Sequence, residues 1–160
     1  MTKKDTNTES EYRYSILCIS DYYFGVEVKF VREVQLLPII TRVPNVPKPV
    51  LGVFNLRGQI QSIVDIRGIL NLPAEKVNEE DFVVVLEHNN TIIGVLVEKV
   101  LDVFSVESNK IQIPTREMSL SLIHYCNGYY NHKKLGKIFL LDLDTLFSTK
   151  EIRSNSFSRV

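Results

Sequence analysis

The sequence predicts a mainly β protein in which one β module occurs twice, and three observations carry that prediction. Short β-branched and aromatic runs bounded by Asp, Asn and Gly succeed one another through its 160 residues. Setting FGVEVKFVREV (Phe24 to Val34) over IGVLVEKVLDV (Ile93 to Val103) aligns the glycines, Val26 with Val95, Val28 with Val97, Val31 with Val100, Glu33 with Asp102 and Val34 with Val103, at an offset of 69 residues. SIVDIRGIL (Ser62 to Leu70) matches FLLDLDTLF (Phe139 to Phe147) at an offset of 77, each an apolar strand ended by aspartate and followed by a short apolar helical turn. Two copies are too few for a solenoid, so the modules are expected to close into two small barrels packed together.

Taken in order, the strands are YSILCI (Tyr14 to Ile19) and YYFGVEV (Tyr22 to Val28), then a central hairpin in LGVFNLRGQIQSIVDIRGIL (Leu51 to Leu70) that turns at Arg57-Gly58. FVVVLEH (Phe82 to His88) and TIIGVLVEKV (Thr91 to Val100) follow, joined by Asn89-Asn90, which tolerate the positive φ of a tight hairpin turn. YCNGYYNHKK (Tyr125 to Lys134) reads as a strand and a solvated turn, and KIFLLDL (Lys137 to Leu143) as the last strand. Asp65 and Asp142 end equivalent strands ahead of short turns, where a carboxylate accepts backbone N–H bonds as an N-cap. The chain reads as a polar, disordered segment over 1–11, one domain over 12–150 and a tail over 151–160.

Lysine plus arginine equals aspartate plus glutamate at 19 each, which removes the net attraction that drives nonspecific nucleic-acid or anionic-membrane binding. The two cysteines, Cys18 and Cys126, form no C-x-x-C and read as reduced core thiols. No apolar run approaches the ~20 residues of a membrane span, and the first residues lack an apolar signal-peptide core, so the reading is a soluble cytoplasmic protein.

Catalytic and metal chemistry find little to stand on. His88, His124 and His132 show no metal-ligand spacing, so no metal is expected, and G-x-S-x-G, Walker and G-x-G-x-x-G signatures are absent, so no cofactor is expected either. The alternative class is a small β-barrel enzyme or ligand-binding domain with Asp65, Asp142 or His124 in a cleft. A recognition site fits better. Arg57 closes a strand beside a turn, and Glu33 carries an acid that the repeat marks, so the two are candidates for a bidentate pair that organises a groove.

The ordered set FGVEVKFVREV, ITRVPNVPKPVLGVFNLRGQIQSIVDIRGIL and IIGVLVEKVLDV resembles the CheW family of bacterial chemotaxis coupling proteins. Proline-rich loop, N-L-R-G turn and V-D-I-R strand end occur together, and the likeness runs from about Tyr14 to Phe147. The resemblance implies two SH3-like five-stranded β-barrels packed around a shared apolar interior, with a few short helices. It implies a non-catalytic scaffold joining the cytoplasmic tip of methyl-accepting chemoreceptors to the regulatory domain of the histidine kinase CheA. Carried over by position, it implies receptor contact at Val31, Glu33, Arg57, Val100 and Val103, and a kinase face at Gly52 and Gly94. The chain departs from the family pattern in KFVREV and in YCNGYYNHKKLGK, which bear on partner choice.

Overall fold

The computed structural model describes residues 11–153, so most of the expected disordered segment and the tail from residue 154 onward lie outside the described residues. Ten strands form two five-stranded sheets: β1 (Glu11–Ile19), β2 (Tyr22–Glu27), β3 (Val31–Leu36), β4 (Val50–Leu56), β5 (Gln59–Val64), β6 (Phe82–His88), β7 (Thr91–Val97), β8 (Lys99–Glu107), β9 (Cys126–His132) and β10 (Gly136–Leu141). Three short helices, α1 (Leu120–Tyr125), α2 (Leu143–Phe147) and α3 (Lys150–Arg153), gather towards the C-terminal end. Helix α3 crosses residue 150, and its Ile152 is buried in the core.

One sheet has the order β3-β6-β7-β5-β4 and uses a contiguous stretch of chain; we call it the central barrel. The other, β8-β1-β2-β10-β9, is built from the two ends of the chain and is called the terminal barrel. Each sheet curls until its edges meet. In the central barrel Glu33 on edge strand β3 pairs with Arg57, which follows edge strand β4. In the terminal barrel Phe104 on β8 packs on Tyr130 and His132 of β9, with ring centroids 5.7 and 5.2 Å apart.

The duplication read from sequence is written in the strand pairing. Val31 faces Leu86 across β3 and β6, and Val100 faces Leu17 across β8 and β1, which are the same contact shifted by one module. Both ladders then slip by one residue at the same place, so even the β-bulge is repeated. The modules are not the barrels, however. The first hairpin of each module pairs with the last three strands of the other. This exchange explains where expected strands stop short. The run Tyr22 to Val28 leaves its sheet at Glu27 through a 3₁₀ turn over Val28–Phe30, and Thr91 to Val100 breaks at Glu98, because at both points the chain crosses to the other barrel. The last expected strand ends at Leu141. Asp142 there accepts from the Thr145 amide at 3.2 Å and the Thr145 hydroxyl at 2.8 Å, capping α2 as the aspartate pattern predicted.

Burial on both faces accounts for the unbroken apolar runs. Leu17, Ile19, Val84, Leu86, Val95 and Val97 belong to a cluster shared by the two sheets. The alternate residues turn into the barrels, Tyr14 and Ile16 into the terminal one, Val83 and Val85 into the central one. Asn89 and Asn90 adopt φ of 48° and 63°, the hairpin turn expected of them.

Cys18 and Cys126 are buried and free. Burial, with the Asp142 carboxylate adding to it, pushes the Cys126 thiol up to about 12. Burial, then Glu27 and Tyr12, pushes the Tyr14 phenol up to about 12. Both groups hold their proton more tightly folded than unfolded, so the stability they contribute is complete below about pH 9 and is lost as pH rises towards 12. Thermal melts are expected to show a lower Tm at about pH 10.5 than at about pH 8. Equal midpoints would count against buried, protonated side chains at these sites.

Candidate partner-binding site

The hairpin β4–β5 places Arg57 by its backbone. A two-residue turn of type I′ needs positive φ at both central positions, and Arg57 takes 50° and Gly58 86°. The Asn55 side chain accepts from the Gly58 amide at 2.8 Å and holds the turn. An arginine in the left-handed region costs energy that asparagine or glycine avoids, so its side chain is the reason for its presence. That side chain reaches across the seam of the central barrel. Its Nη2 and Nε donate to Glu33 Oε2 at 2.9 and 3.2 Å, while Glu33 Oε1 accepts from Gln35 at 3.3 Å. The expected pair therefore exists, with both donors on one carboxylate oxygen instead of two. Arg57 is 82% exposed and Glu33 24%, so the carboxylate is the fixed member and the guanidinium is displayed to solvent. Arg32, Glu33, Leu56, Arg57 and Gln59 line a cavity of about 230 Å³ there.

The valines occupy different surroundings. Val31 and Val100 sit half-buried against the shared core from opposite barrels. Val100 also opens, with Leu101, Asp102 and Phe104, on a cleft of about 410 Å³ whose other wall includes Phe82 of the central barrel. Val103 is 42% exposed on the edge strand β8. Glu33 and Arg57 are thus brought together, and Val100 and Val103 stand on the opposite sheet.

The two glycines expected at a kinase face each pack closely against other parts of the chain. A Cβ on Gly94 would lie 2.8 Å from Phe54 Cε1 and 2.8 Å from Val83 Cγ1, within the central barrel. A Cβ on Gly52 would collide with the Thr41 carbonyl oxygen, because Thr41 and Val53 exchange both backbone hydrogen bonds at 2.8 Å along the edge of β4. The close backbone approach that these glycines allow is made by the protein itself. Gly128 and Gln112 repeat the arrangement in the terminal barrel.

The groups named for an enzymatic alternative do not converge. Asp65 is held by Arg67 and Asp142 by Thr145, and His124 lines a cavity of about 400 Å³ that neither aspartate reaches. Among the described residues no cluster of three or more His, Cys, Asp or Glu side chains could hold a metal ion. No helix among them is long and apolar enough to cross a membrane.

Residues 13–151 match the family model described as CheW-like domain. The chain belongs to this family. Among CheW proteins it is 32% identical to the probable chemotaxis protein CheW of Rhizobium etli over 134 residues, covering 83% of this chain and 85% of that one. It is 29% identical to the chemotaxis protein CheW of Klebsiella aerogenes over 142 residues, covering 87% and 83%. The crystal structure of the scaffolding protein TtCheW from Thermoanaerobacter tengcongensis shares the fold, with a TM-score of 0.76 at 20% identity over 89% of this chain and 96% of that one. The double barrel expected from the CheW resemblance is the observed architecture.

A buried polar network escaped the sequence reading. Arg67, from the V-D-I-R motif, is 2% exposed, and Glu98 from VLVEKV is its partner. The signal was an arginine three residues beyond β5, directly after the buried Ile66 and two residues after the acid Asp65.

Proposed function

We propose that this chain is a non-catalytic adaptor of bacterial chemotaxis, which couples the cytoplasmic tip of methyl-accepting chemoreceptors to the histidine kinase CheA at cytoplasmic receptor arrays. Family membership supports the class of function. The observation that carries the receptor side is Arg57, held by Glu33 in a strained turn with its guanidinium outward. A receptor hairpin offers a helical apolar stripe that Val31, Val100 and Val103 suit, and polar groups at its tip that Arg57 suits. With the Cβ positions of Gly52 and Gly94 facing the chain's own atoms, a kinase contact beside them would rest on neighbouring side chains. The exposed Leu36, Ile39 and Ile60 of the central barrel are the candidates.

Co-sedimentation with a receptor cytoplasmic fragment and the CheA regulatory domain tests the reading. The expected result is binding to each alone and a ternary complex with both. Failure to bind the receptor fragment in a folded sample would overturn it.

A further inference from the structure

Arg67 stands where the chain joins its two barrels. It follows β5 of the central barrel, and its Nη1 donates to Asp65 Oδ2 at 3.2 Å. Its Nη2 donates at 3.2 Å to Glu98 Oε1, on the single residue between β7 and β8 at which the chain crosses to the terminal barrel. The same Glu98 oxygen accepts from the Ser20 amide at 2.8 Å, in the turn between β1 and β2. The Glu98 amide donates to the Cys18 carbonyl at 2.9 Å, and the Ser20 hydroxyl to the Pro73 carbonyl at 3.1 Å. One arginine therefore links the end of a central-barrel strand, the crossover and a terminal-barrel turn. The four residues after Glu98 are Lys99, Val100, Leu101 and Asp102, all of which line the terminal-barrel cleft that Phe82 of the central barrel borders.

The opposite side of the joint has a counterpart of another kind. At the offset of 77 found in sequence, Arg67 corresponds to Asp144 on α2, and Asp144 Oδ1 lies 2.6 Å from His88 Nε2 on β6, again across the two barrels. Asp144 is 85% exposed, whereas the Arg67 side chain is 2% exposed. Water competes for the first contact at its acid, whereas in the second the guanidinium is buried and only the Glu98 side chain, 22% exposed, meets solvent.

We infer that Arg67 is a positioning residue: by anchoring Glu98 it fixes the angle between the barrels, and with it the cleft that Val100 lines. Burying a charged pair returns little net stability, because desolvation offsets attraction, and Arg67 Nε is buried without a partner. What such a network supplies is geometry. An apolar side chain in its place would fill the volume without selecting one orientation of the crossover. The receptor half of this inference rests on the function proposed above.

The test is a neutral double variant, Arg67→Met with Glu98→Gln, in which the amide oxygen of residue 98 still accepts from Ser20. Spin labels placed by Ile60→Cys on the central barrel and Leu120→Cys on the terminal side report the inter-barrel distance, both sites being exposed while the native cysteines are buried. The unsubstituted background is expected to give one narrow distance distribution. The double variant is expected to keep its circular dichroism and a near-normal Tm, broaden that distribution and, without labels, lose about tenfold in affinity for the receptor fragment. An unchanged distribution in the folded double variant would overturn the inference. Should the double variant not fold, Arg67→Lys takes its place, keeping the charge but losing the fork, and is judged by the same distribution. If the unsubstituted protein fails to bind the receptor fragment, the functional reading falls while the distance measurement still decides the role of Arg67.

Discussion

Replacing Gly94 by aspartate is expected to abolish the folded state. The new Cβ would press at 2.8 Å on both Phe54 and Val83, and the carboxylate would lie inside the central barrel among Phe54, Ile63, Val83 and Val85. An uncompensated buried charge costs roughly 3–5 kcal/mol, and the overpacking adds ~1–3 kcal/mol. Against a total stability of about 5–15 kcal/mol for a domain, that is enough to unfold much of the population. Circular dichroism and thermal melting would show the loss, and receptor and kinase binding would disappear together. A cooperatively folded Gly94→Asp protein that kept the receptor and lost the kinase would place this glycine back on a docking face.

Arg57→Glu is expected to do the reverse, sparing the fold and removing a partner. The arginine is 82% exposed, and an ion pair of that kind contributes only ~0.2–1 kcal/mol to stability. Glutamate meets the same positive φ as arginine, so the turn is no worse strained. Losing a charged anchor from a desolvated interface costs ~2 kcal/mol or more, so affinity for the receptor fragment should fall by a factor of roughly tens. Kinase-domain binding should change much less. Swapping the charges, Glu33→Arg with Arg57→Glu, is expected to restore part of the receptor affinity, since the pair shapes the seam while the guanidinium makes its own contact. Calorimetry with a receptor hairpin fragment decides it. Unchanged affinity for Arg57→Glu in a folded protein would remove Arg57 from the site and leave the valines to carry it.

Much of this architecture was legible in the sequence because the features concerned are local or repeated. The Asn89-Asn90 hairpin, the Asp142 cap and the Val31/Val100 correspondence need only neighbouring residues or a constant offset. The Glu33–Arg57 pair was accessible for the same reason, an acid at a repeated position and an arginine misplaced at a strand end. The crossovers were not. The charged Glu27 in VEVKF and Glu98 in VLVEKV read equally well as outward-facing strand positions, and the partner strand that would mark the crossing is supplied by the other module. The internal neighbours of Gly52 and Gly94 were hidden for a related reason. A glycine announces a close approach but not whose atoms approach, and here they belong to Thr41 and Phe54.

The exchange of hairpins also sets an order in time during synthesis. Every strand of the central barrel lies between Val31 and Val97, so that barrel has all its parts as soon as β7 has left the ribosome. The hairpin β1–β2 emerges first but has no sheet to join until β8, β9 and β10 follow. From Glu27 to Leu141 the delay is roughly 6–23 s at ~5–20 residues per second, during which Phe24 lacks Phe139, the ring it packs on. Of the described strands, the first two are thus completed only by the last. A circular permutant with its ends joined and new termini within residues 76–80 would invert this, making the terminal barrel contiguous and leaving β6–β7 to wait for β3–β5 instead.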